Sequence, residues 1–81
     1  MGSMTDVLAK LGKNVRKRRE ALDVSQEAFA AKCGFDRTYI SLVERGRRNI
    51  SLLNLVRIAT GLNTSVSQLT EGIDHGSNAN R

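Results

Sequence analysis

An all-α domain of five short helices is predicted by three features of this 81-residue chain. Proline is absent, and no segment alternates apolar and polar residues for long enough to make a strand. Four serine or aspartate residues, Ser25, Asp36, Ser51 and Ser65, each precede a run of helical apolar spacing, where an N-cap belongs. Three of those runs meet a glycine placed to stop them, at Gly34, Gly46 and Gly61.

Met1-Gly2-Ser3, ahead of a second methionine, has the pattern of an expression-tag remnant, so the domain is expected over residues 4–73. Over residues 5–22, Leu8, Leu11, Val15 and Leu22 recur at helical spacing, with Lys10, Lys13 and Lys17 on the opposite face. Arg19 sits beside the apolar seam and therefore needs a partner or a route to water. Ser25 caps a second helix, Gln26–Cys33, with Val24 and Phe29 as its hydrophobic staple. Asp36 caps the third, residues 37–45, stapled by Phe35 and Ile40. Ser51 caps the fourth, residues 52–60, stapled by Ile50 and Leu55. Ser65 opens a last short helix, with Gln68 as its capping-box partner. Each cap contributes only about 1 kcal/mol, but four in succession fix boundaries better than propensity does. Residues 74–81 are polar, with Gly, Ser and Asn, and are expected to form a disordered tail.

Thirteen Lys and Arg against eight Asp and Glu give a net charge of +5, which favours a polyanionic partner. Six of the cations fall between Lys10 and Arg19 and three more between Arg45 and Arg48, so two basic clusters flank residues 25–46. No apolar run approaches membrane-spanning length, and no secretory signal is visible. The basic first helix carries no Trp or Phe with which to lie on a membrane. Cys33 is the only cysteine, which excludes a disulfide framework, suits a reducing cytoplasm and reads as a core thiol. His75 lies in the tail and is no ligand, and neither a metal nor another cofactor is expected. One His, one Cys and no converging carboxylate pair leave no constellation for acid–base or nucleophilic catalysis, so no enzyme is expected. Three aromatic residues offer no stacking platform for RNA.

The stretch that organises the chain is residues 25–46, SQEAFAAKCGFDRTYISLVERG. Ala30 is small where two helices must cross closely, and Gly34 supplies the turn. Ile40 and Val43 point back into the pair, and Phe29, Cys33 and Phe35 complete its small core. The outer face of the third helix is then Arg37, Thr38, Ser41 and Arg45, with Tyr39 alongside. Thr and Tyr are poor choices for solubility alone. An arginine at the start of such a helix can fork onto guanine O6 and N7, while Thr and Tyr can touch thymine methyls or phosphates.

These residues resemble the helix-turn-helix of the phage Cro and repressor class of bacterial regulators, over roughly residues 11–69. The run DRTYIS-LVERGRRNIS is more narrowly similar to the controller proteins of restriction-modification systems. The resemblance implies a compact five-helix fold of the lambda-repressor type, with the helix-turn-helix formed by helices 2 and 3. It also implies Arg37, Thr38, Tyr39 and Ser41 as base readers. Gln26, Arg45, Arg47, Arg48 and Asn49 would be phosphate contacts. The family often pairs an arginine of the first helix with a glutamate closing the recognition helix. Arg19 and Glu44 occupy those positions, an ion pair that would orient the motif. In activating members an acidic residue of the leading helix touches RNA polymerase, and Glu27, with Asp23 near it, is the candidate.

One recognition helix reads too few base pairs to find a site in a genome, so a homodimer on a palindromic double-stranded operator is expected. Ile50, Leu53, Val66, Leu69 and Ile73 are the apolar residues available for its interface, although some of them must seal the monomer. The expectation is thus a bacterial, cytoplasmic transcription regulator that acts at its own promoter and times endonuclease expression. The alternative is an antitoxin or other helix-turn-helix protein whose main partner is a protein.

Overall fold

Five helices follow one another with short connections: α1 Met4–Ala21, α2 Gln26–Cys33, α3 Arg37–Glu44, α4 Leu52–Gly61 and α5 Val66–Leu69. The protein is described by a computed structural model over residues 4–73, which contain no strand. The expected tag remnant at 1–3 and the polar tail at 74–81 lie outside the described residues.

Three of the four expected caps form. The Ser25, Ser51 and Ser65 hydroxyls accept from the backbone N–H groups of Ala28, Asn54 and Gln68 at 3.0, 3.1 and 3.0 Å. Asp36 has the extended backbone of an N-cap but makes no side-chain cap hydrogen bond. The box at the last helix closes only halfway. Instead of reaching back to Ser65, the Gln68 side chain accepts from the Thr64 hydroxyl at 2.8 Å.

The helix ends share one device. Each of α1 to α4 closes with a residue in the left-handed region, at Asp23 (φ 58°), Gly34 (φ 79°), Gly46 (φ 70°) and Asn63 (φ 58°). Around each, two reverse hydrogen bonds satisfy carbonyls of the last turn, as in Phe35 N–H to Ala30 O at 2.8 Å and Arg47 N–H to Leu42 O at 2.8 Å. Asp and Asn tolerate this conformation because their short polar side chains bond locally. Gly61 is therefore not the stop expected of it. It is the last residue of α4, and Asn63, two positions on, makes the turn.

The core comprises Leu11 and Val15 of α1, Phe29, Ala30 and Cys33 of α2, and Ile40 and Val43 of α3, closed by Ile58, Ala59, Leu62 and Leu69. Leu22, expected on the seam of α1, falls just beyond the helix end and is 40% exposed. The middle of α1 comes close to the end of α3, where a Cβ on Gly12 would overlap the carbonyl oxygens of Val43 and Glu44. Ala30, the small residue expected at a crossing, is buried against the core with 2% exposure. Burial of Ile40, Val43 and Glu44 fixes the rotation of α3 about its axis, and with it which residues face out.

Candidate nucleic-acid interface

Arg37 and Thr38, in the first turn of α3, are exposed, while Tyr39 and Ser41 are half-buried. Between them stands Ile40, with no exposed surface, so α3 is anchored directly beneath these residues. The structure thus brings the four expected base readers to one end of one helix. Arg45, Arg47, Arg48 and Asn49 follow, all exposed, in the turn and loop after α3. Their positive charge extends the same surface. Arg45 also folds its Nε back toward the Ser41 carbonyl at 3.4 Å.

Behind this surface lies a buried ionic network. Arg19 Nε and Nη2 donate to the two carboxylate oxygens of Glu44 at 2.6 and 3.0 Å, a forked pair. Arg19 Nη1 donates to the Val24 carbonyl at 2.7 Å. Both residues are 8% exposed. The hydrogen bond to Glu44 drives the Arg19 pKa above its ordinary value, against a smaller opposing effect of burial. The need for a partner read from the sequence at Arg19 is met here, and α1, the α1–α2 connection and the end of α3 are tied at one point. Gln26, expected on a phosphate, donates its Nε2 to Glu44 Oε1 at 3.0 Å. It is thereby joined to the ion pair from the first turn of α2, and its nitrogen has a second N–H for an outside acceptor.

A second assembly, not visible in the sequence, supports the first turn of α3 from the other side. The Phe35 and Tyr39 rings stack with centroids 4.7 Å apart. The Arg57 guanidinium covers Phe35 at 4.2 Å, and Arg48 covers Tyr39 at 5.2 Å. Arg57 Nη2 also donates to the Cys33 carbonyl at 2.7 Å and the Gly34 carbonyl at 3.2 Å. A cation of α4 thus caps the C-terminus of α2, where helix carbonyls favour positive charge. Gly34 is required for its left-handed backbone, and a Cβ there would in addition displace the Arg57 guanidinium, whose Nη2 would stand 2.6 Å away. Asn54 Nδ2, also on α4, donates to the Tyr39 hydroxyl at 3.1 Å. The one available signal was an arginine interrupting the apolar run LLNLVRIA of α4, but nothing local names its partner, some twenty residues earlier.

Two expectations need correction. The cations of α1 do not gather at the edge of the motif. Arg19 is interior, Arg16 pairs with Glu20 at 3.1 Å, and Lys10, Lys13 and Lys17 are exposed. At 100° per residue those lysines lie opposite Gly12, Val15 and Arg19, the side that meets α3. Leu69, offered for a dimer interface, has no exposed surface and belongs to the core, and Ile50, Val66 and Ile73 are partly buried against it. Of those candidates Leu53 alone is strongly exposed, at 70%. Leu52 at 71% and Val56 at 43% join it on one face of α4. Periodicity missed that face because α4 is apolar on both sides. Asp23 is the turn residue closing α1, and Glu27 is exposed in the first turn of α2.

Known proteins share this fold. The helix-turn-helix family model matches residues 15–69. The chain is 44% identical over 72 residues to the control protein C.MunI of Mycoplasma sp, covering 88% of this chain and 97% of that protein. It is 45% identical over 64 residues to the control protein C.SmaI of Serratia marcescens, covering 79% and 76%. Among solved structures, the restriction-modification controller protein C.AhdI from Aeromonas hydrophila superposes with a TM-score of 0.75 at 44% identity, covering 76% of this chain and 94% of that one. The controller C.Esp1396I, solved as a tetramer in complex with its natural 35 base-pair operator, superposes with a TM-score of 0.74 at 36% identity, covering 83% and 88%. The chain belongs to the helix-turn-helix family of DNA-binding transcription regulators, among the control proteins of restriction-modification systems.

Proposed function

We propose that the protein binds a palindromic operator at its own promoter as a homodimer and times expression of a restriction endonuclease, activating at low occupancy and repressing at high. The observation that carries this reading is the outward placement of Arg37, Thr38 and Ser41, with half-buried Tyr39 beside them, on a helix whose opposite side is locked into the core. Arg37 is the main base reader, with the other three as further base or backbone contacts. Gln26, Arg45, Arg47, Arg48 and Asn49 hold phosphates and set register without reading sequence.

Two-fold pairing is supported by the unpartnered apolar face of α4 at Leu52, Leu53 and Val56. It is supported also by the mismatch between one short helix and the number of base pairs a unique site needs. The tetramer of C.Esp1396I on its operator is a precedent in a relative for assembly on DNA. Activation calls for a contact with RNA polymerase, for which Glu27 is available on the exposed side of α2.

Selection of bound fragments from random duplex DNA identifies the operator. Arg37→Ala then costs about 1–3 kcal/mol on that operator and relaxes base preference at one position. Unchanged affinities of Arg37→Ala for operator and random DNA would refute the assignment.

A further inference from the structure

Tyr39 is a reading residue whose tip is held by a different helix. Its hydroxyl oxygen accepts from Asn54 Nδ2 at 3.1 Å, across fifteen residues of sequence. Phe35 stacks on its ring, and the Arg48 guanidinium stands over the ring at 5.2 Å. Phe35 is in turn covered by Arg57, which is anchored on the Cys33 and Gly34 carbonyls. The phenol oxygen is therefore held by α4, and the ring by Phe35 and Arg48, which lie outside α3 itself.

A phenol carries one donor proton, and its oxygen also accepts. The bond from Asn54 uses the accepting capacity and leaves the proton, which no acceptor among the described residues takes. A hydroxyl that already accepts a hydrogen bond is polarised toward donating one. A side chain fixed at its ring and its tip also has little rotamer freedom left to lose on binding. Tyr39 is thus a prepared single donor at the DNA-facing end of the domain.

We propose that Asn54 is a positioning residue for operator recognition: it holds the Tyr39 hydroxyl so that its proton goes to an acceptor atom of the DNA. This rests on reading α3 as the recognition helix. The acceptor is a base-edge oxygen or nitrogen, or a phosphate oxygen. The two differ in that only a base-edge bond raises operator affinity without raising affinity for random DNA. In this role Asn54 touches Tyr39 and not the nucleic acid, which separates it from a further phosphate contact.

The test is a double-mutant cycle with the full chain, using an operator selected by the wild-type protein and a random duplex of equal length. Tyr39→Phe removes the proton and Asn54→Ala removes the hold on it. Each is expected to weaken operator binding about five-fold, the worth of one hydrogen bond. The double variant is expected to bind no worse than Tyr39→Phe alone. Random-duplex affinity that stays level assigns a base-edge acceptor, and a parallel loss there assigns a phosphate. Losses that multiply in the double variant would overturn the proposal, because Asn54 then acts on DNA by itself. So would unchanged operator affinity of Asn54→Ala. Melting curves accompany each variant, and Asn54→Ser, whose hydroxyl is too short to reach Tyr39, replaces Asn54→Ala if the latter does not fold. A wild-type protein that selects no sequence at all would instead sink the reading of α3, whereas selection with multiplying losses sinks only the role of Asn54.

Discussion

Replacing Arg19 by Ala tests the buried network directly. The substitution leaves the Glu44 carboxylate, whose side chain is 2% exposed, with Gln26 as its remaining partner. Removing one member of a buried pair costs about 3–5 kcal/mol, since the other charge stays desolvated. At about 0.05–0.15 kcal/mol per residue, a chain of 81 residues has only about 4–12 kcal/mol in total. Arg19→Ala should therefore remove a large share of the stability, and at about 4–8 °C per kcal/mol the melting midpoint should fall by at least about 12 °C. Urea unfolding followed by helix circular dichroism measures it, with the slope unchanged if only the native state is affected. The companion variant, Arg19→Met with Glu44→Leu, replaces both charges by apolar groups and should stay within about 1–2 kcal/mol of wild type. Operator affinity should nonetheless drop in this double variant, because Gln26 loses the acceptor that orients it. The sign for pH follows from the raised pKa of Arg19. A raised base stabilises fully below its ordinary pKa and loses that contribution only as pH passes its folded value. For a guanidinium this lies beyond the range in which proteins stay native, so the arginine should add no pH dependence near neutrality. A loss below about 1 kcal/mol for Arg19→Ala would show that the pair behaves as a surface ion pair and refute the reasoning.

Gly12→Ala gains helix propensity but drives a methyl into the Val43 and Glu44 carbonyls, so a net loss of about 1–2 kcal/mol in thermal melts is expected; a gain would show that α1 can shift freely along α3. Leu53→Glu should leave monomer stability within about 0.5 kcal/mol, because the side chain is 70% exposed. It should convert the proposed dimer to monomer in sedimentation and weaken operator binding, and a persistent dimer would move the interface elsewhere. Burial pushes the Cys33 thiol above its ordinary pKa, partly offset by Lys32 and Arg57. An acid raised in this way stabilises fully below the ordinary thiol range and is lost as pH rises through its folded value. Urea midpoints should therefore fall in alkaline buffer, and less steeply for Cys33→Ala; equal slopes would mean that the thiol does not contribute.

The legible parts of this fold are those set by neighbours in sequence. Ser25, Ser51 and Ser65 announced three helix starts because a cap bonds an amide only three residues on. Ile40 and Val43 fixed the orientation of α3 by spacing alone, so the outward set Arg37, Thr38 and Ser41 was readable with it. The pairing of Arg19 with Glu44, 25 residues apart, was suggested by resemblance rather than by spacing. Asn54 and Arg57 escaped because their partners, a phenol oxygen and two carbonyls, carry no local mark. Gly61 misled because Asn63 can occupy the same backbone region. Leu69 was misplaced among interface candidates because an apolar residue in a one-turn helix has no periodicity to say which way it faces.

The supports of α3 bear on attempts to transplant its specificity. Residues 37–44 carry the side chains that point outward, yet their placement is held from outside the helix. Arg19 and Gln26 fasten its last turn, and Asn54 and Arg57 fasten its first through Tyr39 and Phe35. Grafted alone onto another scaffold, the octapeptide RTYISLVE would bring the side chains proposed to read DNA without the contacts that set their angle. The exchangeable unit is larger: α3 together with the inward polar side of α4 and the two polar residues that clasp Glu44.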